Sequence, residues 1–169
     1  MNNSLSYKLI LITIILSLIA FVLPLIGFDA HLANTVFSLT ISVGQILALM
    51  LLLKNGTLLN SQWIKLIFVF VVVIIASAVF KWIHWAFAPE LLLIGTSGVS
   101  IVYIIFFLSK KTKDFLAIVK VIWVPIAFLG GALIVLKLIP DYFIWLSTFI
   151  LWLAVLIDYF QVKKELTER

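Results

Sequence analysis

The stretch FKWIHWAFAPELLLIG, residues 80–95, sets a lysine, a histidine, two tryptophans and a glutamate between two long apolar runs, 64–80 and 91–108. A helix rises about 1.5 Å per residue, so about 20 apolar residues cross the hydrocarbon core of a bilayer. Both runs are of that order, and the polar stretch between them reads as a tight turn at the membrane surface. Backbone groups in lipid must bond within their own segment or close into a barrel, and runs of this length favour helices over strands.

Outward from this turn the pattern continues in both directions. Spans are predicted at 9–26, 35–53, 64–80, 91–108, 115–136 and 142–160. The expected fold is all-α: a single membrane domain over 1–169, a polytopic transmembrane bundle of six helices arranged as three in-out-in hairpins. Composition agrees, since 65% of the 169 residues are hydrophobic and 11% charged. A soluble chain carries about a quarter charged residues. The net charge of +5 comes from lysines at the ends of apolar runs, which suits a bilayer and argues against a nucleic-acid partner. The absence of cysteine excludes disulfides and thiolate metal sites.

The run 9–26 exceeds an ordinary signal-peptide core, and "FDAHLA" after it has no clean small-x-small cleavage site, so a retained signal-anchor helix is expected. Asn34 is expected to cap the second helix and "KNGT", 54–57, to close it with a glycine. Pro89 and Glu90 suit the first turn of the fourth, where a missing N–H costs nothing and a carboxylate meets the positive dipole end. Pro140 and Asp141 are expected to open the sixth in the same way.

The lysines predict direction. Ten basic residues (Lys8, Lys54, Lys65, Lys110, Lys111, Lys113, Lys120, Lys163, Lys164 and Arg169) fall on one side of this threading, and only Lys81 and Lys137 on the other. The positive-inside rule then places both termini in the cytoplasm. A bacterial cytoplasmic membrane is the expected location, and the lysine- and isoleucine-rich usage is associated with an AT-rich bacterial genome.

A period accompanies the threading. "KLI" at Lys8, "KLI" at Lys65 and "KVI" at Lys120 open the odd-numbered helices at spacings of 57 and 55 residues, and "FKWI" at 80–83 resembles "LKLI" at 136–139. Duplication of a two-helix unit explains this. So does the plain requirement that any such hairpin carry lysines at its inner ends and small residues where helices touch. Gly95, Thr96, Gly98 and Ser100, together with 76–78 and 130–132, are candidates for close helix contact. Ser42, Gln45, Ser97 and Ser147 are candidate intramembrane polar contacts, either bonded between helices or lining a polar path.

Residues 79–109, VFKWIHWAFAPELLLIGTSGVSIVYIIFFLS, resemble the transmembrane hairpin of the GldL family, the membrane motor subunits of gliding motility and type 9 secretion in Bacteroidota. The family pattern of phenylalanine-lysine-x-x-histidine, a short turn and leucine/isoleucine-glycine falls here on Phe80, Lys81, His84, Ile94 and Gly95. The resemblance implies a membrane hairpin with a lysine-histidine turn. In that family a glutamate within the second helix is the implied proton carrier, whereas the matching position here is Val99.

Two readings of the opening stretch stand. Lys81 and His84 share a helix face if the third helix continues past Phe80, and with Glu90 they form a candidate polar cluster at the outer turn. Alternatively, tryptophans in the aromatic belt, a snorkelling lysine and a carboxylate at a helix start are what interface physics places there. Lys137 with Asp141 repeats the lysine-then-acid order. Asp29 and His31 are expected to be solvated loop residues, and Asp158 to pair with Lys163 or snorkel beside it.

No catalytic, cofactor-binding or metal-ligating set is expected. The two histidines lie in different loops, and no phosphate loop or nucleophile motif appears. The expectation is a non-enzymatic membrane scaffold or subunit of a larger complex, partnered by the bilayer and by another membrane protein or a second copy. The alternative is a small transporter or channel component lined by hydroxyls of the even-numbered helices.

Overall fold

The computed structural model describes residues 3–167, and the side chains of 5–163. Lys164 and Arg169, counted above in the basic tail, lie outside the described side chains. Among the described residues the chain is all-helical: α1 (Asn3–Val22), a 3-10 turn (Leu23–Ile26), α2 (Ala30–Lys54), a second 3-10 turn (Leu58–Asn60), α3 (Trp63–Trp82) and α4 (Ala88–Ser109). Then come α5 (Phe115–Pro125), a π-helical turn (Ile126–Gly130), α6 (Gly131–Val135) and α7 (Phe143–Thr167). Among the described residues, six helical segments are long and apolar enough to cross a membrane: Leu5–Ile26, Ala30–Lys54, Trp63–Trp82, Ala88–Ser109, Phe115–Val135 and Phe143–Lys163.

The chain divides into two compact units. One holds 1–55 and 158–169, the other 56–157. In the first unit α1 packs along α2. Small residues sit where α1 and α2 bury side chains, among them Ser6, Ser17 and Ala20 on α1 and Ala33, Gly44 and Ala48 on α2. Lipid tails supply no hydrophobic drive between helices, so close approach and van der Waals contact must do so.

In the second unit α4 is the element against which others rest: α3, α5, the π turn and α6 all contact it. Its buried residues are Ala88, Gly95, Thr96, Gly98, Val99, Ser100 and Val102. The glycines fix the crossing with α3. A Cβ on Gly95 would lie 2.6 Å from Ile74 Cγ1 and 3.1 Å from the Phe70 carbonyl oxygen, and one on Gly98 would collide with the Phe70 ring. Gly130 and Gly131 differ, because a Cβ there meets nothing within 4 Å. Those two glycines are therefore not contact points. Gly130 ends and Gly131 follows the π turn after Pro125, where the missing proline N–H breaks the regular ladder and the backbone re-bonds at a wider spacing.

Three local expectations are corrected. The cap of α2 is Asp29, not Asn34: its Oδ1 accepts from the N–H groups of His31 (2.8 Å) and Leu32 (3.3 Å), so Asp29 and His31 belong to the helix start and not to a free loop. Asn55, not the following glycine, caps the other end of α2, its N–H bonded to the Leu51 carbonyl at 2.9 Å. Pro140 and Asp141 lie in a turn before α7, accepting from the N–H groups of Phe143 and Ile144.

The odd-numbered spans all stop by one device. Described residues with positive φ are Gly27 (86°), His84 (57°) and Lys137 (58°). At each, the residue's own N–H bonds three residues back and the next N–H bonds five back: Gly27 to Pro24 and Phe28 to Leu23, His84 to Lys81 and Trp85 to Phe80, Lys137 to Ile134 and Leu138 to Leu133. This is the Schellman closure, which satisfies helix-end carbonyls without a side chain. Lys8 to Gly27 and Lys65 to His84 are both 19 residues. The likeness of FKWI to LKLI does not mark equivalent positions: Lys81 lies three residues before the left-handed residue, and Lys137 is that residue.

Candidate functional site

The turn between α3 and α4 is built by its own sequence. Trp85 closes on Phe80, ring centroids 4.2 Å apart and nearly perpendicular, which is the apolar contact that accompanies a Schellman stop. Ser77, buried on α3, donates its hydroxyl to the Ala88 carbonyl at 3.0 Å and so ties α3 to the first turn of α4. Pro89 and Glu90 occupy that first turn as their chemistry suits.

Against this turn lies a cleft of about 300 Å³, lined by Lys81, His84, Trp85, Leu92, Val135 and Leu136 among others, with Ser77 and Pro89 also in its lining. The structure thus brings Lys81 and His84 to one cleft, although not along one helix face, because α3 ends at Trp82 and His84 lies beyond it in left-handed backbone. Glu90 does not line the cleft. Lys81, His84 and Glu90 are exposed, and they form no ion pair with one another. The cluster expected from the sequence is a lysine and an imidazole in a mostly apolar cleft, with the carboxylate standing apart.

The candidate intramembrane residues fall elsewhere. Ser42 is exposed and donates to the Ser38 carbonyl of its own helix at 2.8 Å, while Gln45, Ser97 and Ser147 are half-buried. None of the four lines the cleft. Thr96 and Ser100 likewise bond carbonyls one turn back, to Leu92 and to Thr96. The hydroxyls of Ser42, Thr96 and Ser100 are thus satisfied within their own helices.

A second polar site lies in the first unit, and it was not singled out from the sequence. Asp158, only 3% exposed, accepts from the Tyr7 hydroxyl (2.6 Å) and from Asn55 Nδ2 (2.7 Å) through the same oxygen, Oδ2, and Asn55 Nδ2 also lies 3.4 Å from the Tyr7 oxygen. The Tyr7 ring meets Tyr159 edge-on at 5.2 Å. One carboxylate thus gathers the start of α1, the end of α2 and α7. Asp158 does not turn outward beside Lys163 as expected, because two donors from other segments hold it inside. The available signal was the residue type alone, a carboxylate within a predicted span, which the cost of burying charge in lipid makes worth pursuing.

Two further groups complete the inventory. Lys110 and Asp114 form an ion pair at 3.0 Å between α4 and α5, and Lys113 Nζ stands 5.2 Å from the centre of the Phe107 ring. Partial burial raises the Asp114 carboxyl, but the hydrogen bond and charge of Lys110, with Lys120 further off, outweigh it and leave the pKa below the usual carboxylate value. Trp123 is buried with its indole N–H lacking an acceptor, two residues before Pro125. Among the described residues no three His, Asp or Glu side chains gather as a metal ion would require. No protein-family model matches the chain, nor does any curated protein or solved structure.

Proposed function

We propose that the chain is a small, non-enzymatic integral protein of a bacterial cytoplasmic membrane, threaded as three in-out-in hairpins with both ends cytoplasmic, and that it acts as a scaffold or subunit of a larger membrane complex. Six spans and the ten-to-two distribution of basic residues support the threading. The observation that carries the scaffold reading is the use of polar groups for helix fixation: Ser77 to the Ala88 carbonyl, and Tyr7 and Asn55 to Asp158. Groups spent on holding helices together make a firm platform and leave few to line a path.

Crosslinking followed by affinity purification from the native membrane tests this reading. A second membrane protein, or a second copy, is expected in constant ratio. Recovery of the chain alone from crosslinked membranes overturns the reading. A reporter on the carboxyl end that is active only outside the cytoplasm overturns the threading.

One observation favours a second reading, a proton-coupled transporter component: Asp158 is buried within a candidate span. Proton flux into proteoliposomes that Asp158→Asn abolishes would select it. The relation to the motor-subunit family remains within the first proposal. At the position of that family's glutamate, α4 carries Val99, 2% exposed, so a shared lysine-histidine turn is what the two would have in common.

A further inference from the structure

We propose that the cleft at the α3–α4 turn binds the phosphate of an anionic phospholipid, with Lys81 and His84 holding the headgroup and Leu92, Val135 and Leu136 flanking an acyl chain. The inference stands apart from the partner reading, since a lone monomer would bind lipid equally well.

Charge and shape point the same way. Lys81 and His84 line one cleft, and neither is paired with an acidic side chain among the described residues. The rest of the lining is mostly apolar, from Trp85 down to Leu92, Val135 and Leu136. Three other groups of the lining offer no free donor: the Ala88 N–H goes to the Trp85 carbonyl, Pro89 has no N–H, and the Ser77 hydroxyl donates to the Ala88 carbonyl. An occupant is therefore drawn by the Lys81 ammonium, by the imidazole N–H of His84 and by the apolar side chains of the lining.

Depth selects among anions. Lys81 lies in the last turn of the candidate span Trp63–Trp82, where a helix that crosses a bilayer reaches the headgroups. There the abundant anion is the lipid phosphodiester, and a lysine near an anionic lipid surface is worth about 1 kcal/mol, or about fivefold, in attraction. A zwitterionic headgroup brings its own cation and gains less. A soluble phosphate has nothing to place against Leu92, Val135 and Leu136.

The test is native mass spectrometry of the full chain in detergent, titrated with phosphatidylglycerol or phosphatidylcholine, with and without inorganic phosphate. The expected result is one phosphatidylglycerol retained in preference to phosphatidylcholine and not displaced by inorganic phosphate. Lys81→Gln weakens it about fivefold. His84→Gly also weakens it, and because glycine suits a φ of 57° that variant loses no thermal stability and gains some, so misfolding does not account for the loss. Lys65→Gln, at the other end of α3, leaves retention unchanged. Equal retention of both lipids, no effect of Lys81→Gln, or an equal effect of Lys65→Gln overturns the site. Displacement by inorganic phosphate overturns the assignment to a lipid.

Discussion

Lys81 and His84 stand exposed at the end of α3 with no acidic partner among the described residues, whereas Asp158 is buried with one oxygen shared by two donors. The difference follows from where each can reach water or a headgroup. A lysine at a span end extends its ammonium outward and keeps its hydration, so the fold need not satisfy it. A carboxylate set inward at a helix junction has no such route and must be met by donors from the chain. The first region is therefore open to a ligand, and the second is closed by its own bonds.

The largest expected effect lies beneath the open region, in the crossing that holds it. Gly98→Val drives a side chain into Phe70 and should cost about 3 kcal/mol, as overpacking of a tight contact does. Unfolding in detergent measures it, and adding Phe70→Ala to the same chain should recover much of the loss. Failure to recover would mean that the α3–α4 contact is not what the glycine serves.

Next comes the closed region. Asp158→Ala removes the acceptor shared by the Tyr7 hydroxyl and the Asn55 amide and should cost about 2 kcal/mol. Lys81→Gln should leave stability nearly unchanged in the same assay. Similar losses from both would erase the contrast between the regions.

The stops sharpen it further. His84→Gly and Lys137→Gly should each stabilise by about 1 kcal/mol, since an L side chain in left-handed backbone is strained and glycine is not. Gly27→Ala should destabilise by about the same amount. A loss in His84→Gly would show that the imidazole makes a contact worth more than the backbone strain.

The smallest effect belongs to Lys110 and Asp114, a partly exposed pair worth a few tenths of a kcal/mol. The folded Asp114 pKa is lowered, so the contribution is fully present above the ordinary carboxylate value and is lost as pH falls through the folded one. Asp114→Asn should flatten that acid limb slightly and leave neutral-pH stability almost unchanged.

Much of the architecture was legible in the residues. Each of the predicted spans corresponds to an observed apolar helix, with bounds differing by a few residues. Lys81 and His84 were also named, because a cation and an imidazole between apolar runs are conspicuous. Their meeting in a cleft was less accessible, since it depends on Val135 and Leu136, some fifty residues further on. The stop at His84 was hidden for a related reason: glycine announces left-handed backbone, as at Gly27, whereas histidine and lysine do not.

Sequence alone determined that the chain is helical and suited to lipid, because hydropathy and the need to satisfy backbone groups act within each segment and require no knowledge of neighbours. Tertiary structure decided which polar groups are spent and which are free. Tyr7, Asn55 and Asp158 lie as far as 151 positions apart, and a bond between them depends on the distance between side chains in space, which no local pattern along the chain encodes.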